Sequence, residues 1–338
     1  MATRTKTYVY SKGELRLEER LVTQPGPLDV QVRMRALSIN YRDRLIRDGT
    51  YPGGDMTGNV ALSDGAGEVV AVGERVRELR PGDRVVGSFF QDWSAGPMPP
   101  NAMESALGGP LDGVASELVT LPERGWVRIP DTLGFAEAAT LPCAGVTAWN
   151  ALLLGDGIQP GETLLTLGTG GVSIFALQLA QLFGARVIVT SSDDEKLARA
   201  EELGAFETIN YRKHPSWSNE VLERTGGRGV DRVVEVGGAG TLEQSLASVR
   251  SGGTLALIGV LGGIGGRIDP VPVLMKAARL EGVLIGSRTM LADLVRAVDV
   301  HGLRPIVDRS FRFDRLPEAL DAMAEGRHFG KIVVEVEG

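Results

Sequence analysis

Three features of this sequence predict an α/β protein with a doubly wound parallel sheet in its middle and a strand-rich part ahead of it. Residues 162–205 read as strand, glycine turn, helix, strand, helix. From Gly161 onward the alternation of strand and helix patterns continues regularly. The first 125 or so residues hold short strands bounded by glycine and proline turns. Strands alternating with helices imply parallel pairing, because parallel neighbours need a crossover long enough to hold a helix.

Residues 163–167 form a short apolar run of Thr and Leu. Gly168-Thr169-Gly170-Gly171-Val172-Ser173 follows at once. Ile174, Leu177, Leu179, Ala180 and Phe183 then recur at helical spacing until Gly184 stops the helix. Residues 186–190 are the next strand. Glycines make the tight turn and let backbone approach a pyrophosphate, while the helix start offers N–H donors and a positive dipole end. In this strand–turn–helix–strand context the turn points to a dinucleotide site. The third glycine position holds Ser173, expected to crowd the helix–strand packing slightly and to offer its hydroxyl to an anion.

At 338 residues the chain is long for one domain, and two are expected. A 43% hydrophobic content is ample for a core. The net charge of −7, with both signs mixed, is no nucleic-acid footprint. No run reaches the roughly eighteen apolar residues of a membrane span, and the N-terminus has no apolar signal core. The single cysteine, Cys143, excludes an internal disulfide and a four-cysteine zinc lobe. It suits a reducing compartment, so a cytoplasmic protein without a membrane partner is expected.

Along the chain, residues 30–37 alternate apolar and polar as a half-buried strand does. Strands are also expected at 65–73, after the Pro-Gly turn at 81–82, and at 116–121. Residues 91–113, rich in Gly, Pro and Ala with few apolar anchors, read as a long surface loop, mobile or covering a site. Residues 135–154 read as two short helices broken at Pro142. Further strands are expected near 207–210, 232–236 and 254–259, with helices near 217–225 and 242–249. Residues 280–285 read as a last buried strand of that series, followed by a helix over 291–300. Residues 311–313, a helix over 316–324 and a strand over 331–336 close the chain. The last strand alternates charge with Val and Ile, which predicts one solvent-facing side and a return onto the N-terminal β part.

Several segments, in order, carry a family resemblance. They are residues 36–43 (ALSINYRD), 63–69 (SDGAGEV), 81–85 (PGDRV), 138–149 (AATLPCAGVTAW), the glycine turn, and 329–333 (FGKIV). Together they resemble the medium-chain dehydrogenase/reductases, in their zinc-independent, quinone oxidoreductase-like branch, over nearly the whole length. The resemblance implies a GroES-like catalytic domain built from residues 1–130 and 289–338. It also implies a Rossmann NADP(H)-binding domain over 131–288, and a homodimer.

Zinc-holding relatives bind the catalytic metal through Cys, His and Cys, and those positions are Asn40, Ser63 and Cys143 here. Amide and hydroxyl groups are poor zinc ligands beside thiolate and imidazole. His214, His301 and His328 are widely separated in sequence and form no ligand motif, so no zinc is expected. An NAD site usually carries Asp or Glu about twenty residues past the glycines. This chain has Thr190-Ser191-Ser192 there, with hydroxyls and no carboxylate to repel a 2′-phosphate. Ser192 to Glu195 reads as a capping box with Ser192 as N-cap, which accounts for the acidic run.

By resemblance, Gly168, Thr169, Gly170, Gly171 and Val172 cradle the pyrophosphate. Ser191, Ser192, Lys196 and Tyr211, with Arg212 a further candidate, meet the phosphate and adenine of NADPH, which is expected ahead of NADH. Gly237, Gly259, Val260 and Leu261 fall near the nicotinamide and its ribose. Thr147 packs on the nicotinamide, and Lys331 lies near the cofactor. Without a metal to favour alkoxide, reducing a conjugated carbonyl is less demanding than oxidising a simple alcohol. Hydride goes to the β-carbon, and hydrogen-bond donors stabilise the enolate charge. The donors at matching family positions are Asn40 and Tyr51, and Asp43 organises their segment. The expected activity is a zinc-independent, NADPH-dependent oxidoreductase acting on quinones, enones or other activated alkenes, with a small electrophile as its partner. A metal-free NADP(H)-dependent alcohol dehydrogenase or ketoreductase is the alternative enzyme, and an NADPH-binding sensor with little turnover the alternative of another class.

Overall fold

A computed structural model describes residues 3–337 apart from 260, 263, 264, 266 and 267. The chain divides into two compact units, Met1–Val146 with Ile285–Gly338, and Thr147–Leu284.

The first unit opens with an element that the sequence patterning does not bring out. Strands β1 (Thr3–Ser11) and β2 (Glu14–Val22) pair antiparallel across Lys12-Gly13, along their full length. The hub of the unit is β3 (Asp29–Ser38), whose Val30, Val32, Met34 and Leu37 are fully buried. One edge of β3 pairs antiparallel with β4 (Asp64–Val72), which continues to β5 (Arg84–Gly87). Its other edge is shared between β6 (Leu118–Pro122) along residues 29–33 and the C-terminal strand along residues 36–38. Strand β7 (Trp126–Arg128) pairs with β5 and closes that end of the sheet. Between β3 and β4 lies α1 (Tyr41–Arg47), a seven-residue helix.

Two expectations about the first unit are corrected. Residues 91–113 are not a bare surface loop: Trp93, Ala102, Ala106 and Leu107 are buried, and β-bridges join Phe90 to Ala106 and Leu107 to Leu111. A few fully buried anchors suffice, because the backbone between them bonds to itself. Pro142 does not separate two helices either. After α2 (Phe135–Ala138) it lies in the first turn of a π turn, Leu141–Gly145, that runs straight into α3 (Val146–Leu153). Proline is tolerated there because a first-turn residue needs no intrahelical N–H bond.

The second unit is a six-stranded parallel sheet. Its strands are β8 (Thr163–Leu167), β9 (Arg186–Ser191), β10 (Glu207–Asn210), β11 (Val230–Glu235), β12 (Val249–Leu257) and β13 (Arg279–Gly282), in the order β10-β9-β8-β11-β12-β13. Every residue of β8 and β11 is buried, as in a sheet covered on both faces. The order reverses between β8 and β11, and such a switch point is where ligands bind, beyond the carboxyl ends of the strands. Helices α4 (Gly171–Leu182), α5 (Asp194–Glu202), α6 (Trp217–Arg224), α7 (Leu242–Ser248) and α8 (Pro270–Lys276) connect the strands. Strand β13 stops at Gly282, short of the expected residue 285, and lies half-exposed at the sheet edge.

The chain returns to the first unit through α9 (Arg288–His301), β14 (Val307–Arg312), α10 (Leu316–Ala324) and β15 (Lys331–Glu335). The expected solvent-facing side of the last strand is absent. Strand β15 lies between β14 and β3 and packs against α10, so its first four residues, Lys331 included, are buried. Among the described residues no helix is long and apolar enough to cross a membrane.

Candidate functional site

A buried polar cluster forms in the first unit where four elements meet. Asn40 is the N-cap of α1, Asp64 opens β4 opposite Ser38 of β3, Cys143 lies in the π turn, and Lys331 opens β15. The Lys331 ammonium donates to Asn40 Oδ1 at 2.5 Å and to the Ile39 carbonyl. Asp64 accepts from Ser63 Oγ at 2.7 Å and from the Cys143 N–H at 3.1 Å. Asp43 Oδ2 accepts from the Asn40 N–H at 2.8 Å, which pins the start of α1. Its Oδ1 lies 3.7 Å from Arg42 Nη1. The Arg42 guanidinium lies 5.2 Å from the Tyr51 ring centroid and 4.8 Å from that of Phe89, and donates to the carbonyls of Leu107 and Gly108. Arg42 therefore ties Tyr51 and residues 107–108 to α1. Asn40, Asp43 and Tyr51 are thus linked through one network. Asp64 and Arg42 belong to it without having been expected, although the motifs that carry the family resemblance contain both.

The charges in this cluster hold one another. Burial raises the Asp43 carboxyl to about 6, against the pull of Arg42. Burial also raises Asp64, opposed by the Lys331 charge and the Ser63 hydrogen bond. Lys331 is pushed down by burial and held up chiefly by Asp64. Burial of its sulfur, with Asp64 near, pushes the Cys143 thiol up and away from thiolate chemistry. A carboxyl whose folded value lies above its unfolded value of about 3.9 adds stability below that value. This contribution disappears as pH rises through about 6. Between about pH 4 and pH 7 the wild type is therefore expected to lose about 2–3 kcal/mol relative to Asp43→Asn. Denaturant unfolding of both proteins at the two pH values checks this, and a constant difference refutes it.

The same arrangement bears on zinc. Asn40 Oδ1 already accepts from an ammonium, and Ser63 Oγ is turned toward Asp64. This donor set does not fit a zinc ion, which needs deprotonated, unoccupied ligands. Among the described residues no three His, Cys, Asp or Glu side chains are grouped to hold a metal.

The second unit carries a cradle at the carboxyl edge of its sheet. Strand β8 ends at Leu167, Gly168 turns the backbone at φ +72°, and α4 begins at Gly171. A Cβ added at Gly168 or Gly170 would meet no atom within 4 Å, so the turn leaves open space for a ligand. With the first-turn N–H groups of α4, this fits a dinucleotide pyrophosphate. Thr169 is buried, and Val172 lies in the first turn of α4. Ser173 departs from its expected role: its hydroxyl donates to the Leu167 carbonyl at 2.7 Å, so it ties α4 to β8 and is not offered to an anion.

Register places the remaining candidates along the same edge. Leu167 pairs with Thr190 and Glu235 with Leu257, so Gly168, Gly237 and Gly259 follow strand ends and Ser191 is the last residue of β9. Ser191 is buried. The N-cap of α5 is Asp193, whose carboxylate accepts from the N–H groups of Glu195 and Lys196. The expected Ser192 capping box is thereby corrected, because an aspartate one residue later reaches both first-turn donors. Ser192 is left between β9 and the cap, and Lys196 sits in the first turn. Tyr211 is 41% exposed and extends the β9–β10 pairing through its N–H to the Ser191 carbonyl. Leu261 is half-exposed, and Thr147 is buried at the start of the second unit, in α3. Val260 lies outside the described residues. The glycines at 237 and 259 are also required by packing, since a Cβ there would lie 2.2 Å from Thr241 Oγ1 and from the Val236 carbonyl oxygen respectively.

Glu235, at the end of β11, has no signal in the sequence pattern. It is fully buried and accepts from the N–H groups of Gly237 and Gly238 at 2.7 and 2.9 Å, from Thr241 Oγ1 at 2.6 Å, and from Ser245 Oγ. One carboxylate therefore shapes the whole turn after β11.

Comparison with known proteins agrees with this architecture. Residues 26–131 match the alcohol dehydrogenase GroES-like domain, and residues 171–299 match the zinc-binding dehydrogenase family. A zinc-type alcohol dehydrogenase-like protein of Schizosaccharomyces pombe is 42% identical over 331 residues, covering 96% of each chain. The quinone oxidoreductase of Pseudomonas aeruginosa is 35% identical over 261 residues, 77% of this chain and 74% of its own. The crystal structure of an NAD-dependent alcohol dehydrogenase, 34% identical, matches with a TM-score of 0.89 over 99% of this chain and 100% of that one. The glycine cradle on a doubly wound sheet, the strand-rich unit built from both chain ends, and these relatives lead to one conclusion: the chain is an oxidoreductase of the medium-chain dehydrogenase/reductase superfamily.

Proposed function

We propose that the protein is a zinc-independent, NADPH-dependent reductase of quinones, enones or related activated alkenes. The observation that carries this is the Asn40 carboxamide. Lys331 engages its oxygen, so the amide offers Nδ2 as a hydrogen-bond donor. A fixed donor suits the negative charge that grows on a conjugated carbonyl oxygen as hydride reaches the β-carbon. Tyr51, held on Arg42, is a second donor. NADPH, when bound, supplies the hydride. Residues 168–172 would take its pyrophosphate. Ser191 and Ser192 would receive a 2′-phosphate without a carboxylate to repel it, Lys196 would add positive charge, and Tyr211 would flank the adenine. Among the described residues no side chain is placed as an evident acid for the α-carbon, so solvent delivers the one proton that the enolate takes up there. The quinone oxidoreductase relative supports this substrate class. The alcohol dehydrogenase names of other relatives support a second reading, an alcohol dehydrogenase or ketoreductase, which the donor set at Asn40, Ser63 and Cys143 would make metal-free.

The test is cofactor oxidation by chelator-treated protein, with NADPH or NADH and a quinone, an enone or a ketone. Turnover of NADPH with the quinone or enone supports the proposal. Activity confined to an alcohol–ketone pair moves it to the second reading, and activity restored only by added zinc overturns the metal-free assignment. Lys196→Ala is expected to weaken NADPH binding about tenfold or more, the worth of one charge-assisted hydrogen bond, and to leave NADH nearly unchanged. Equal effects on both cofactors would remove the phosphate role from Lys196.

A further inference from the structure

We infer that Lys331 is a positioning residue for the reduction: it fixes which end of the Asn40 carboxamide is turned toward the substrate. The role rests on Asn40 acting as the donor proposed above. A carboxamide has two ends of nearly equal shape, an acceptor oxygen and a donor NH2, and an unconstrained side chain can present either. An ammonium has only donors, so it accepts one orientation alone. At Lys331 the Nζ lies 2.5 Å from Asn40 Oδ1 and also donates to the Ile39 carbonyl. In the flipped amide two donors would face each other across that short distance.

Lys331 is itself held in place. It is 4% exposed, it opens a strand paired on both edges, and its N–H donates to the Ile306 carbonyl at 3.0 Å. The Asp64 charge favours the ammonium at this position. On the other side of the amide, buried Asn40 Nδ2 faces the Asp64 carboxyl, which draws on it as an acceptor, but no hydrogen bond of full geometry is completed there. A buried donor left incomplete is costly, and a substrate oxygen reaching it relieves that cost. The residue that makes Asn40 a donor thus lies 291 positions away in the chain.

The test is a double-mutant cycle on kcat with the acceptor that the wild type reduces. Lys331→Met is expected to lower kcat about 10- to 100-fold with little change in the KM for NADPH, as misplacement of a catalytic group does. In an Asn40→Ala background the same substitution is expected to cost less than about twofold, because its effect passes through the amide. Lys331→Arg, which keeps the charge and donors, is expected to recover most of the rate. Equal losses in both backgrounds, or a loss seen chiefly in the KM for NADPH, would overturn the inference. A readout independent of turnover is the Asn40 side-chain 15NH2 signal, assigned by its disappearance in Asn40→Asp. Slow solvent exchange in the wild type and faster exchange in Lys331→Met are expected, and identical exchange would overturn it. If the wild type reduces no acceptor, the proposed substrate class fails, and the NMR comparison still decides the orientation of the amide.

Discussion

Asn40→Ala is expected to lower kcat/KM for an enone or quinone by about 10²–10³, the loss typical of removing one preorganised donor to developing oxyanion charge. The effect falls on the chemical step, so the dissociation constant of NADPH is expected to change less than about twofold. Asn40→Asp is expected to be at least as damaging. It removes the NH2 donor and adds a third carboxylate beside Asp43 and Asp64, both already raised by burial. Steady-state kinetics with saturating NADPH, beside fluorescence titration of the cofactor, measures both quantities. A loss below about fivefold with Asn40→Ala would remove Asn40 from the catalytic machinery, since a donor of this kind is worth far more.

Glu235→Ala is expected to destabilise the chain by about 3–5 kcal/mol, the scale of breaking a buried, hydrogen-bonded charge site. The carboxylate is fully buried and four donors converge on it, two backbone N–H groups and two hydroxyls. Truncation leaves those donors without their acceptor, and the backbone pair cannot turn elsewhere. Glu235→Gln keeps an acceptor for Gly237 and Gly238 and is expected to cost distinctly less. Urea unfolding of the two variants and the wild type gives the comparison. Equal stability of Glu235→Ala and the wild type would show that the turn after β11 is held by other contacts. That turn lies beside Gly259, since Glu235 pairs with Leu257 in the register of β11 with β12, so Glu235→Ala is also expected to raise the KM for NADPH.

Much of the second unit is legible because its signals are local. Residues 163–167 fold as the expected strand, and the helix after the glycine turn ends within two residues of its expected stop. Strand 207–210, and helix 316–324 in the first unit, also fall where the pattern puts them. In each, apolar period, glycine and neighbouring polar residues all indicate the same element within a dozen residues. The β1–β2 hairpin escapes the pattern although its Lys12-Gly13 turn is a signal, and α1 is too short for a periodic pattern to declare itself. An Asn40-x-x-Asp43 start is the one signal for that helix.

What local pattern does not decide is who meets whom across the chain. The alternation of Lys331 with Val and Ile predicts an open face, yet pairing on both edges buries the lysine. Sequence neighbours alone give Ser173 and Ser192 other roles, while a strand carbonyl and a nearby aspartate set what each does. Asp64 reaches Cys143 across 79 residues, and Lys331 reaches Asn40 across 291. Residue types and spacing therefore settle the strand–helix series, the dinucleotide turn and the family, because these depend on near neighbours. The orientation of the Asn40 amide, the compensation of Asp43 and Asp64, and the donor cage of Glu235 arise only on folding. Burial makes an unpaired charge or donor costly, and that cost is set by contacts the linear chain does not contain.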